Sequence, residues 1–156
     1  MANVYLGLGT NLGDKASNLH QAIGRIRERI GEVISQSHFY ETAPWGFDSA
    51  NTFLNAALCV NTACPPLEVL HLTQAIERQM GRKQKSANGI YADRIIDIDL
   101  LLYDDVILQT PELTLPHPLM TERDFVMRPL TEIAGHVVHP VFRQSLASLQ
   151  ASRKPL

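Results

Sequence analysis

The apolar positions of this chain switch between a period of two and a period near 3.6, and the switches mark its elements. Residues 3–9, NVYLGLG, read as a strand. Leu19, Ile23, Ile26 and Ile30 then fall at helical spacing, with Asp14 placed to cap the helix and Gly31 to stop it. A second strand covers 32–40, EVISQSHFY, and a long polar loop with a glycine follows it. The run FLNAALCVNT, 53–62, is a third strand, and Pro65-Pro66 opens a second helix through Leu70, Ala75, Ile76 and Met80 to Gly81. A polar loop over 82–93 leads to the most hydrophobic run of the chain, DRIIDIDLLLYDD, 93–105. Turn residues follow, then a short helix starting near Pro129 and an amphipathic segment over 145–151. Strand–helix–strand–strand–helix–strand is the split βαβ order. The expected fold is therefore α+β, a ferredoxin-like βαββαβ sandwich with a mainly antiparallel sheet and extra short C-terminal helices. No repeat or linker divides the chain, so residues 1–156 are expected to form one domain.

The fourth strand poses a problem. Asp97 and Asp99 lie inside it two residues apart, so they share a face of the sheet. Ile96, Ile98, Leu100 and Leu102 are expected on the opposite face, with Ile95, Leu101 and Tyr103 beside the aspartates. Two carboxylates one strand period apart among apolar groups repel each other and resist desolvation. Polar alternation on a solvated sheet face accounts for the pair as well as a site does. The site reading is a divalent cation: Mg²⁺ takes one or two carboxylates and completes its shell with substrate phosphates. Neither a Cys/His cluster with zinc spacing nor a Ca²⁺-loop signature accompanies them.

Other side chains could serve such a site. Arg82, Lys83, Lys85 and Arg94 make the preceding loop basic. Basic residues are favoured at a helix C-terminus in any case, yet beside two aspartates they suit a metal-bridged polyphosphate. Gln84, Ser86, Asn88 and Gly89 in the same loop offer little apolar surface to bury, which makes it a candidate lid over bound nucleotide. His117, between two prolines in LPHPLMTERDF, is excluded from a regular helix or central strand and is expected at the surface, near Arg123 and Phe125. Trp45, Phe47 and Phe53 surround the 41–53 loop, with Asn55 on the strand face of Phe53. Core packing is the ordinary fate of such aromatics; the alternative is a flat heterocycle stacked on a ring and hydrogen-bonded by the asparagine. GLGTNLG, between a strand and a helix, has the wrong glycine spacing for G-x-G-x-x-G, even with Glu41 as a ribose-binding acid. The phosphate loop G-x-x-x-x-G-K-[ST] is missing too, so side chains and metal must hold any nucleotide.

Composition narrows the partners. A net charge of −2 and a pI near 6.3 argue against a nucleic-acid or membrane footprint. Cys59 and Cys64 are too few and too close for a disulfide framework and suit a reducing compartment. The N-terminus lacks a basic leader followed by an apolar stretch, and no run reaches membrane-span length, so a cytoplasmic protein is expected.

Taken together, LGTNLGD, FYETAPWG, FLNAA, IERQMGR, DRIIDIDLLLYDD and LPHPLMTERDFVMRPL resemble the hydroxymethyldihydropterin pyrophosphokinase family over nearly the whole chain. The R-x-x-D-x-D element, Arg94 with Asp97 and Asp99, is the most specific of them. The resemblance implies transfer of a diphosphate from ATP to 6-hydroxymethyl-7,8-dihydropterin in folate biosynthesis. It implies Arg82, Arg94, Asp97 and Asp99 as the catalytic set, with Asp97 and Asp99 holding two Mg²⁺ ions. ATP then falls to Gln74, Glu77, Arg82, Lys83, Lys85, Arg94, His117 and Arg123. Phe53 and Phe125 would sandwich the pterin, Asn55 would read its edge, and Thr42, Ala43 and Trp45 would close the pocket. The expected partners are these two small molecules, without nucleic acid or membrane, and the expected state is a monomer. The chain departs from the family pattern at Ile90 and Asp93, where a basic residue and a small residue or proline are usual, and at Glu112, where a basic residue is common. Two other classes share the pattern: a ferredoxin-like nucleotide sensor without chemistry, and an RNA-binding module on a similar sheet, which the acidic pI disfavours.

Overall fold

The computed structural model describes residues 1–43, 52–81 and 95–152. Its centre is β1 (Ala2–Thr10), flanked by β4 (Phe53–Thr62) and β5 (Asp97–Tyr103). On the far side of β4 lie β2 (Glu32–Gln36) and β3 (Tyr40–Thr42). The sheet order β2–β4–β1–β5, with every pair antiparallel, is that of the expected βαββαβ sandwich.

Alternation along the strands divides the core in two. One face of the sheet carries Val4, Leu6, Leu58, Val60, Ile98 and Leu100, and it packs against the apolar stripes of α1 (Lys15–Arg29) and α2 (Pro66–Gln79). Leu19, Ile23 and Ile26 supply the first stripe; Val69, Leu70 and Ile76 supply the second. The other face carries Tyr5, Ala57, Cys59, Leu101 and Leu102 under α3 (Asp124–Ala134) and α4 (Leu146–Ala151). No described helix is long and apolar enough to cross a membrane.

The expected caps form. The Asp14 carboxylate accepts from the Ser17 N–H at 3.1 Å, and Pro66 occupies the first position of α2. Gly31 follows α1 for a different reason from conformational freedom. A Cβ there would lie 2.0 Å from the Asn61 carbonyl oxygen, part of the backbone of β4. Gly31→Ala should therefore force β4 away from the end of α1 and cost about 1–3 kcal/mol or more. Urea denaturation checks this: the midpoint should fall with the slope unchanged.

Four sequence expectations need correction. The strand expected over 32–40 is two strands, because Ser37 is buried and its hydroxyl enters the ladder. That hydroxyl accepts from the Ala57 N–H at 2.8 Å and donates to the His38 carbonyl at 2.8 Å. In β5, Leu6 pairs with Leu100 but Tyr5 pairs with Leu102, so Leu101 is an extra, bulged residue. The faces exchange beyond it. Leu102 joins Leu101 on the α3 face, and Tyr103 turns to the α1–α2 side, where its hydroxyl donates to the Cys64 carbonyl at 2.7 Å. The helix expected near Pro129 starts five residues earlier, at Asp124, with Pro129 inside it. The ring removes only the N–H that would reach Phe125, and the buried stripe Val126, Met127, Leu130 and Ala134 carries the helix through. Finally, part of the segment read as turns forms a small hairpin, β6 (Leu108–Gln109) with β7 (Thr114–Leu115).

Candidate active site

The cleft begins with what β1 lacks. Gly9 pairs with Asn55 on one side and Asp97 on the other, and Gly7 pairs with Ala57 and Asp99. With no side chain at either glycine, the central strand leaves a trough of bare backbone between its neighbours. The trough is full to the level of an α-carbon. A Cβ at Gly9 would lie 2.9 Å from Asn55 Oδ1, and one at Gly7 would lie 3.3 Å from Leu101 Cδ1. Above it opens a cleft of about 590 Å³, solvent included, walled by β3 and β4 at one end, β5 at the other and the start of α3 over the side.

Asp97 and Asp99 both line this cleft and both are half-buried. They precede the bulge at Leu101, so the shared face expected from their spacing is kept. The path of the sheet ends at β5, and a helix residue attends to that edge. Glu77 of α2 is 2% exposed, and its Oε2 accepts from the Ile98 N–H at 2.8 Å. Ile98 is the residue between the two aspartates. A buried carboxylate on that N–H fixes the backbone that aims both of them.

The opposite wall is aromatic and amide. Asn55 is 3% exposed, and its Nδ2 donates to the Thr42 hydroxyl at 2.7 Å across the β3–β4 pairing. Its Oδ1 end is thereby turned toward Gly9. Thr42, Ala43, Phe53 and Phe125 line the same end of the cleft. Arg123, 6% exposed, stands at the start of α3 with its guanidinium 5.7 Å from the centroid of the Phe125 ring. A cation over an aromatic face keeps the ring oriented and brings a fixed positive charge to a cleft that holds two carboxylates.

Among the described residues, Gln74, Glu77 and His117 fall outside the lining of this cleft. Gln74 is half-buried one turn before Glu77. His117 is half-buried, deeper than its two prolines suggested: its N–H donates to the Leu101 carbonyl at 2.9 Å and its Nδ1 accepts from the Leu119 N–H at 3.3 Å. Glu112 is exposed, with Oε2 3.2 Å from His71 Nε2. Trp45, Arg82, Lys83, Lys85 and Arg94, with Ile90, Asp93 and the lid expected over 82–93, lie outside the described residues. Gly7, Gly9 and Val126 also line the cleft, and the sequence reading assigned them no role there. A signal for the glycines was present: they lie two apart on one strand, hence on one face.

Among the described residues no three His, Cys, Asp or Glu side chains are grouped to hold a metal by themselves. Two hard carboxylates on one face, open to a cleft, fit a cation whose remaining ligands come from phosphate oxygens. The arrangement thus has an acidic edge for a metal-bound polyphosphate and an aromatic, amide-bearing end for a flat polar heterocycle.

The family model described as 7,8-dihydro-6-hydroxymethylpterin-pyrophosphokinase matches residues 5–135. The Porphyromonas gingivalis protein called 2-amino-4-hydroxy-6-hydroxymethyldihydropteridine pyrophosphokinase is 52% identical over 141 residues, covering 90% of this chain and 95% of that one. The Aquifex aeolicus protein of the same name is 42% identical over 146 residues, covering 94% and 89%. A crystal structure of wild-type Plasmodium falciparum HPPK-DHPS superposes with a TM-score of 0.76 at 18% identity. It covers 97% of this chain, which spans 43% of that longer one, and supports the fold alone.

Proposed function

Because the chain belongs to the 7,8-dihydro-6-hydroxymethylpterin-pyrophosphokinase family, we propose that its cleft holds two substrates side by side, nucleotide phosphates at the aspartate edge and pterin at the asparagine end. The enzyme transfers a diphosphate from ATP to the hydroxymethyl group of 6-hydroxymethyl-7,8-dihydropterin, giving the pterin diphosphate and AMP, in folate biosynthesis. In that reaction the hydroxymethyl oxygen bonds to the β-phosphorus as the bond from β-phosphorus to the AMP oxygen breaks. The hydroxyl proton leaves to solvent. Little covalent help is needed from a protein; positioning and charge neutralisation are.

The residues divide that work. Phe53 and Phe125 stack on the two faces of the pterin, and Asn55 reads its hydrogen-bonding edge beside Thr42, Ala43 and Trp45. Gly7 and Gly9 keep the floor low enough for a flat ring to lie against backbone. Arg123 supplies positive charge between pterin and phosphates. Arg82, Lys83, Lys85, Arg94 and His117 contact the triphosphate, with Gln74 and Glu77 on the nucleotide side. Asp97 and Asp99 would hold two Mg²⁺ ions, which would supply positive charge to offset that developing on the transferring and leaving phosphates.

One observation carries this reading: the aspartate pair and the Asn55–Phe53 pair stand on either side of Gly9, on one face of three adjacent strands. Incubation of the purified protein with ATP, Mg²⁺ and the pterin should yield AMP and pterin diphosphate in equal amounts. Omission of the pterin, or chelation by EDTA, should stop AMP formation. Binding of ATP without AMP under all conditions would favour a nucleotide sensor instead.

A further inference from the structure

Outside the cleft, one polar cluster ties two of its walls together. Phe125, Arg128 and Glu132 follow one another at i, i+3 and i+7 on α3, so they form one stripe. Phe125 ends that stripe in the cleft. Glu132 ends it on the chain entering β3. Its Oε1 accepts from the Tyr40 hydroxyl at 2.6 Å and from the His38 N–H at 3.1 Å. Its Oε2 lies 3.2 Å from the same N–H and 2.8 Å from His38 Nδ1. Between these ends the Arg128 guanidinium sits 5.4 Å from the centroid of the Tyr40 ring. The Tyr40 hydroxyl, foremost, and then His38 hold the Glu132 carboxyl below the ordinary carboxylate range, and the same contact raises Tyr40.

The strand so gripped needs the grip. β3 is three residues long, and the break at Ser37 separates it from β2. Its ladder partners are Tyr40↔Asn55, Glu41↔Leu54 and Thr42↔Phe53, all on β4. Tyr40 and Thr42 share a face, so what fixes Tyr40 also fixes the hydroxyl that holds the Asn55 amide. Resting on the assignment of the Asn55–Phe53–Phe125 end to the pterin, we propose that Glu132 is a positioning residue for that end. Through Tyr40 and His38 it locks β3 to α3, and so sets Thr42 and Asn55 at a fixed distance from Phe125. None of the residues assigned to ATP belongs to this cluster, so its loss is expected to act on one substrate.

Steady-state kinetics on Glu132→Ala, Glu132→Gln, Tyr40→Phe and Asn55→Ala test it, with melting temperatures measured alongside. Glu132→Ala should raise the KM for the pterin about tenfold, the scale of one lost charge-assisted hydrogen bond, with less than about a twofold change for ATP. Glu132→Gln keeps an acceptor for Tyr40 and should restore part of that loss. Tyr40→Phe removes only the hydroxyl and should fall between wild type and Glu132→Ala, which keeps the test open even if the alanine variant folds poorly. Equal rises for both substrates, or a lower melting temperature with both KM values unchanged, would make the cluster a stability device and overturn the proposal. A pterin defect in Asn55→Ala but none in the Glu132 and Tyr40 variants overturns the proposal and leaves the pterin end standing. No pterin defect in Asn55→Ala overturns both.

Discussion

Asp97→Ala and Asp99→Ala are each expected to abolish diphosphate transfer, by roughly three orders of magnitude or more (about 4 kcal/mol of transition-state stabilisation), in a protein that stays folded. The two carboxylates share one face of β5 and open onto the cleft, so neither is replaced by the other. With one removed, a cation held there with the help of phosphate oxygens would lose one of its protein ligands. The fold is expected to survive either change. Each is half-buried, each pairs in the ladder with a β1 glycine, and deleting one relieves repulsion between the two. The strand itself is held by its pairing to β1 and by Glu77 on the Ile98 N–H. AMP release at saturating ATP, pterin and Mg²⁺ gives the activity; far-ultraviolet circular dichroism and melting give the fold. Activity near wild type in either variant would end the metal assignment.

That pair was legible in the sequence because its signal is local. Strand periodicity places 97 and 99 on one face whatever the rest of the chain does, provided no bulge falls between them. The bulge falls at Leu101 instead, and it is set by how β5 pairs with β1, nearly a hundred residues away. No local pattern announces it, so the faces of Leu102 and Tyr103 were misread while those of Asp97 and Asp99 were not. The Asp14 cap and Pro66 start are likewise local and were legible. Ser37 looked like a strand residue because only its hydrogen bonds to the backbone of β4 reveal the break. Gly7 and Gly9 were judged against a dinucleotide spacing, which they fail. Their role depends on what stands beside them, Asn55 on β4 and Asp97 and Asp99 on β5, and that is a fact of strand order. Element order was therefore readable; the floor of the cleft was not.

The second large effect concerns that floor and the wall above it. Asn55→Ala is expected to weaken pterin binding roughly a hundredfold, about 2.7 kcal/mol, while ATP binding changes little. Asn55 is almost wholly buried, its Nδ2 is spent on Thr42, and its Oδ1 end is directed over Gly9 into the trough. A heterocycle lying there leaves its polar edge unpaired once the carboxamide is gone, and an unpaired buried polar group costs more than a hydrogen bond contributes. Phe53→Ala should cost less, because a stacked ring adds about 0.5–1.5 kcal/mol beyond its area and Phe125 still offers a face. Gly9→Ala should reproduce the asparagine defect without touching the asparagine. Its methyl group would stand 2.9 Å from Oδ1, and the short side chain, held by Thr42, must turn away or lose that bond. Calorimetric titration of each variant with the pterin, and separately with a non-hydrolysable ATP analogue and Mg²⁺, reads the two affinities apart. Equal losses for both ligands in Asn55→Ala, or unaltered pterin affinity in Gly9→Ala, would mean that the heterocycle does not lie over the glycine floor.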